Sequence, residues 1–208
     1  MTKNLYYSIF IFLLLYSTTT YAQGFKAGVL AGINASQVSG DSYSGFDKAG
    51  LLLGLYSNFD VSEKVKLQFE INYSQKGSRK NPKTSEGDHE SFLLRLNYIE
   101  IPLMARFQHK SFSFEGGAYY GRLVKEYMED EDGAHPIPEQ FNQFKENDIG
   151  VLVGINYNFT EHIIMNWRFS NSIIPIREYD SGESYLYFNR GAYHTYLSFN
   201  LRYTFIGG

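Results

Sequence analysis

Five histidines are the first residues to weigh for chemistry: His89, His109, His135, His162 and His194. None forms a close metal-ligand pair in sequence. Cysteine is absent, which removes thiolate metal sites and a disulfide frame together. Four of the histidines fall in expected loops or turns. His194 falls near the loop end of the last expected strand. A hydrolase centred there would need a nucleophile and a group to orient the imidazole. Ser172 and Asp180 are available, but spacing alone does not bring them to it. The run Glu126, Glu129, Asp130, Glu131, Asp132 could offer hard oxygen ligands to Ca²⁺. It lacks the glycine at position six and the distal glutamate of a calcium loop. A solvated acidic loop is the plainer reading, and no catalytic, cofactor or metal residue is expected.

A second set of charges is organised differently. Lys66, Glu70, Glu100, Arg106, Glu115, Asp148, Arg168 and Arg202 occupy the polar positions of alternating segments. Both signs are present. If those segments close into a small barrel with the charges inside, the interior is only wide enough for its own side chains. Buried charges must be paired or heavily hydrogen-bonded. A structural salt-bridge core is therefore expected, with a gated polar path or a small-ligand site as the sharper alternative.

The segments that must hold these charges share one pattern. From Val65 to Tyr73, odd positions are large and apolar, and the intervening positions are charged or polar. A period of two marks a β-strand with one oily and one wet face. The run to Lys76 is about twice the common strand length of ~5–6 residues. It is close to the ~9–11 residues a tilted strand needs to cross a bilayer. Seven more segments alternate likewise: 25–35, 49–60, 93–107, 112–124, 148–159, 163–171 and 194–205. Connections at 60–64, 108–111 and 160–162 are short, whereas those at 36–48, 77–92, 125–147 and 172–193 are long. Short turns on one side and long loops on the other describe an outer-membrane barrel. Phe25, Phe59, Phe107, Phe112, Phe159 and Phe205 each stand beside a short turn, as a periplasmic aromatic girdle would. Tyr73 and Tyr120 could belong to the opposite girdle. Pro102 falls inside the fourth segment and requires a bulge or a locally unpaired position.

The fold class is therefore all-β: an eight-stranded antiparallel up-and-down transmembrane β-barrel. The chain has 208 residues, with 18 Tyr, 17 Phe and 19 Gly, a mixture suited to strands and tight turns. A net charge of −3 gives no footprint for nucleic acid. A mean hydropathy of −0.32 would argue against helical spans. It does not argue against a barrel, whose oily and polar residues alternate. Residues 1–22 read as a secretory signal, with Lys3, the apolar run Ile9–Leu15 and the small residues of Thr20-Tyr21-Ala22. No cysteine follows that run, so a lipoprotein is excluded. The barrel domain is expected over 23–208, in the outer membrane of a Gram-negative bacterium. Its expected partners are outer-membrane lipid and a protein or glycan met by the long loops, which suit contact on a rigid scaffold. A soluble periplasmic ligand-binding barrel and a loop-end lipid or peptide hydrolase are the competing classes.

Several runs resemble one family. They are Phe25-Lys26-Ala27-Gly28, Asn97-Tyr98-Ile99-Glu100-Ile101-Pro102-Leu103, Gly116-Gly117-Ala118-Tyr119-Tyr120-Gly121, Asp148-Ile149-Gly150-Val151-Leu152-Val153-Gly154 and Leu201-Arg202-Tyr203-Thr204-Phe205. Together they resemble the PorT-like outer-membrane β-barrels along the whole mature chain, the Tyr-Ile-Glu-Ile-Pro-Leu run most specifically. The resemblance implies an eight-stranded outer-membrane barrel without a catalytic motif. It also implies a link to protein secretion, the role of the family's named member. Many outer-membrane chains stop at a terminal Phe, whereas here Ile206-Gly207-Gly208 follow Phe205.

Overall fold

The computed structural model describes residues 25–39, 45–82, 84–135, 143–178 and 191–205. The expected signal segment, 1–22, lies outside them. Ten strands occur among the described residues: β1 Phe25–Ser39, β2 Lys48–Asp60, β3 Val65–Lys80, β4 Phe92–His109, β5 Phe112–Asp130, β6 Gly133–His135, β7 Asn147–Asn158, β8 Ile163–Ser172, β9 Arg177–Glu178 and β10 Gly191–Thr204. Eight of them form the wall, in the order β1-β2-β3-β4-β5-β7-β8-β10, every neighbouring pair antiparallel. β10 pairs back onto β1 from Gly28↔Thr204 to Ser39↔Tyr193, which closes the ring. Closure leaves no wall edge with unpaired backbone, the condition for a sheet to sit in hydrocarbon. β6 folds back on β5, and β9 on β10, both at the loop end.

The period of two decides which way each side chain points. Leu55 is 60% exposed, Leu103 59% and Val153 59%, whereas their neighbours Tyr56, Met104 and Leu152 are buried. The outward aliphatic rows thus cover the outside of the cylinder and the charged rows line its inside. A soluble barrel would have to reverse this arrangement, because such a continuous apolar exterior is unstable in water. Introducing an arginine on the exposed face, Val153→Arg, is therefore expected to destabilise. The cost should be about 2–4 kcal/mol if Val153 sits near the bilayer midplane. A urea titration of protein refolded into lipid vesicles measures it.

The staves overrun the alternating stretches on the loop side. β3 has 16 residues, β4 18 and β5 19. The backbone ladder continues through polar residues such as Ser78, Arg79, Glu126 and Glu129, where the side-chain pattern has already lapsed. The acidic run is therefore not the loop its composition suggested. Glu126, Glu129 and Asp130 lie on β5, and only Glu131 and Asp132 form the turn to β6. Glu129 accepts a hydrogen bond from the Tyr127 hydroxyl at 2.8 Å, and Asp130 accepts one from the Asp132 amide at 3.0 Å.

Pro102 marks a gap in the wall. The β3–β4 register pairs Phe69 with Leu103 and Asn72 with Glu100, and skips the positions between them. Proline supplies no N–H there, so the ladder is interrupted while the strand direction is kept. A bulge at Asn97/Tyr98 shifts the β4–β5 register. It turns Leu96, Asn97 and Tyr98 all into buried positions.

The lumen and its loop-end plug

Near the short-turn end, two guanidiniums and two carboxylates meet across the barrel. Arg168 on β8 donates from Nη1 and Nη2 to the two oxygens of Glu70 on β3, both at 2.9 Å. Its Nε donates to Glu115 Oε1 on β5 at 2.7 Å. Arg202 on β10 reaches Glu115 Oε2 with Nη1 at 3.2 Å and Glu70 Oε1 with Nη2 at 3.1 Å. Both arginines thus bridge both glutamates. Asn72, Asn156 and Asn166 donate to the remaining carboxylate lone pairs at 2.8–3.0 Å. Such a desolvated network holds its geometry because almost every charged group has more than one partner.

A second cluster sits closer to the loops. Lys76 on β3 contacts Glu100 on β4 and Asp148 on β7, each at 2.7 Å, and is fully buried. Its ammonium lies 4.4 Å from the Tyr98 ring centroid, 4.7 Å from Tyr196 and 5.0 Å from Tyr119. The rings turn their negative π-faces to the ammonium. Tyr196 donates to Glu100 and Tyr119 to Asp148, both at 3.2 Å. Tyr119 reaches the lysine only because Gly150 lies beneath its ring. A Cβ on Gly150 would overlap the Tyr119 ring carbons.

Above this cage the lumen is apolar. Val38, Leu94, Leu96, Tyr98, Phe144, Ile176 and Ala192 form one buried apolar cluster. Phe144 and Ile176 come from two different loop-end connections. Backbone bonds tie those connections together, Lys145 N–H to the Ile176 carbonyl at 2.7 Å and Ile176 N–H to the Ala192 carbonyl at 2.8 Å. Outside the plug, Lys145 donates to Glu178 at 2.6 Å. That bond holds the Glu178 carboxyl below its ordinary range.

Glu70, Glu100, Arg106, Glu115, Asp148, Arg168 and Arg202 all lie buried in the lumen. Lys66 does not join them. It stands at the short-turn mouth, partly exposed and paired with Asp60 at 2.8 Å. Lys76 and its tyrosine cage were missed from the sequence. Lys76 continues the polar face of β3 beyond Tyr73, so the same alternation could have found it. Phe25, Phe59, Phe107, Phe112, Phe159 and Phe205 are exposed on the outer face beside the short turns. Phe25 packs on Phe59 at 4.9 Å, and Tyr157 touches both Phe112 and Phe159 at 5.0 Å. Tyr120 is exposed and Tyr73 partly so, farther up the wall.

His194 is fully buried, with Nε2 3.3 Å from the Tyr98 hydroxyl. Ser172 does come close, but its hydroxyl donates to Asp148 at 2.7 Å and accepts the backbone N–H of His194 at 3.2 Å. The serine is therefore engaged with the carboxylate and the main chain, not with the imidazole. Asp180 lies outside the described residues. His89 and His109 are exposed, and His162 contacts the Thr204 carbonyl at 3.0 Å. The side chain of His135 is outside the described residues.

A closed ring of eight antiparallel strands, apolar outside and ionic within, is a transmembrane β-barrel. Residues 21–178 match the family model described as outer membrane protein beta-barrel domain, and the chain belongs to that family. Its place is the outer membrane. Among solved structures, Neisserial surface protein A is 17% identical with a TM-score of 0.51, the match covering 88% of this chain and 97% of that one. Ail, the attachment invasion locus protein of Yersinia pestis, crystallised with the heparin analogue sucrose octasulfate, is 12% identical with a TM-score of 0.48, covering 88% and 99%. The Neisserial likeness is one of fold. A search of curated proteins found no match.

Proposed function

We propose that this chain is a non-enzymatic outer-membrane barrel whose lumen is a structural ion-pair core and whose loop end is a contact surface. The observation that carries the first half is the cross-barrel network of Glu70, Glu115, Arg168 and Arg202, capped by the Lys76 cage and the apolar plug. No ion crosses such a lumen without breaking buried charge pairs, which costs several kcal/mol. The loop end supports the second half. It carries strands prolonged past the ~9–11 residues a span needs, tied into a rigid platform by the Phe144–Ile176 contacts. Such a platform suits a protein or glycan partner, or an assembly in the membrane. The PorT-like resemblance points to a secretion-related assembly.

In this reading the short-turn phenylalanines form the periplasmic girdle against lipid, and residues 1–22 are removed on export. Protein reconstituted into planar bilayers is expected to show no large, steady conductance step. A reproducible porin-like step would overturn the plugged lumen. For the loop end, the test is a pull-down from detergent-solubilised membranes. A specific co-purifying protein should be lost when 131–146 is replaced by a short turn.

A further inference from the structure

The short-turn mouth holds a cavity of about 470 Å³, distinct from the plugged lumen above it. Its lining includes Arg106, Lys26, Lys66 and Lys110, against the carboxylates of Glu63 and Glu161. Arg106 is only 3% exposed. It is the one arginine of the lower lumen without a carboxylate partner among the described residues. Nη1 donates to the Gln68 amide oxygen at 2.7 Å and Nη2 to the Ser113 hydroxyl at 2.9 Å. Its Nε has no hydrogen-bond partner among the described residues. Asn58 and Asn158 line the same cavity, and the Oδ1 atom of each is buried without a hydrogen-bond partner among the described residues.

A buried guanidinium without a counter-ion calls for an anion. We infer that this mouth binds the phosphate group of a small water-soluble solute, with Arg106 as its buried anchor and Lys26, Lys66 and Lys110 on the rim. A phosphate oxygen meets the Arg106 guanidinium where that side chain lines the cavity, and Asn58 and Asn158 lie in the same wall. The cavity is in the size range of small-molecule sites, ~300–1,000 Å³, so it accommodates more than the bare ion. Binding here does not depend on what the loop end contacts.

Side-chain ¹⁵N NMR in maltoside micelles tests this, because that detergent carries no phosphate. Inorganic phosphate should move the Arg106 Nε–H resonance saturably, while chloride at equal ionic strength should not. Arg106→Gln should weaken the fitted affinity, read from the Asn58 and Asn158 amide signals, about tenfold or more, the loss of a charged hydrogen bond. Heat-modifiable gel migration shows whether each variant is folded. If Arg106→Gln does not fold, the rim variant Lys26→Gln/Lys66→Gln decides, and it should bind more weakly with a shallower salt dependence. No saturable shift, or equal affinity in the folded variants, would overturn the site. In phosphatidylglycerol nanodiscs without added phosphate the resonance should stay at its unliganded position. A shift there that soluble phosphate cannot compete away would assign the site to a lipid headgroup and overturn the soluble ligand.

Discussion

Lys76→Met is expected to destabilise the folded barrel by about 3–5 kcal/mol, the range for removing one partner of a buried ionic group. The methionine fits the space and keeps the contact with the three rings, so the loss is mainly electrostatic. Glu100 and Asp148 would then both lie buried with no cation between them. Tyr119, Tyr196 and Ser172 still donate to those carboxylates, which limits the loss without cancelling it. Urea unfolding of protein refolded into vesicles measures the change. Adding Asp148→Asn to Lys76→Met should recover part of it, because one of the two stranded charges is then gone. A single variant as stable as the parent would mean that the cluster is hydrated and open.

The companion experiment is Arg168→Met in the lower cluster, again with an expected loss of about 3–5 kcal/mol. Arg168 makes the bidentate contact to Glu70 and the shortest contact to Glu115. Without it, Arg202 alone would serve two carboxylates at 3.1 and 3.2 Å. Glu70→Gln in the same background should restore much of the stability. The pair would then behave non-additively in a double-mutant cycle, as residues sharing a network do. If the two substitutions simply add, the lower cluster is a set of independent contacts and not a connected core. The two clusters differ in one respect that the cycles should expose. The lower one is tied by two guanidiniums with fixed forks, the upper one by a single ammonium acting as a point charge. Lys at position 168 should therefore restore Arg168→Met only in part.

Alternation along the chain was enough to read eight staves, their oily and wet faces, the sorting of short and long connections, and the row of phenylalanines beside the short turns. Each of these is a property of near neighbours. The side-chain period is two, and each short hairpin joins adjacent staves. Pro102 was legible for the same reason, since a missing N–H interrupts a ladder wherever it falls. The strand ends were less legible. Gln37, Ser78 and Glu129 stay in the ladder although their side chains no longer alternate in hydrophobicity, because backbone bonds do not require an apolar face. This is why the acidic run at 126–132 reads as a loop and folds mostly as a strand.

What the amino-acid order determined by itself is the face each residue takes, inside or outside. What only the tertiary structure decided is the height at which it sits and whom it meets there. Arg168 and Glu70 are 98 residues apart, Lys76 and Asp148 72, and Tyr98 and His194 96. Their meeting depends on the stagger accumulated around the ring and on closure of β1 against β10. A bulge at Asn97/Tyr98 changes that stagger locally, and no period of two records it. The same stagger leaves Arg106 beside Gln68 and Ser113 while Arg168 and Arg202 take both glutamates, although all three arginines occupy the same face of their strands.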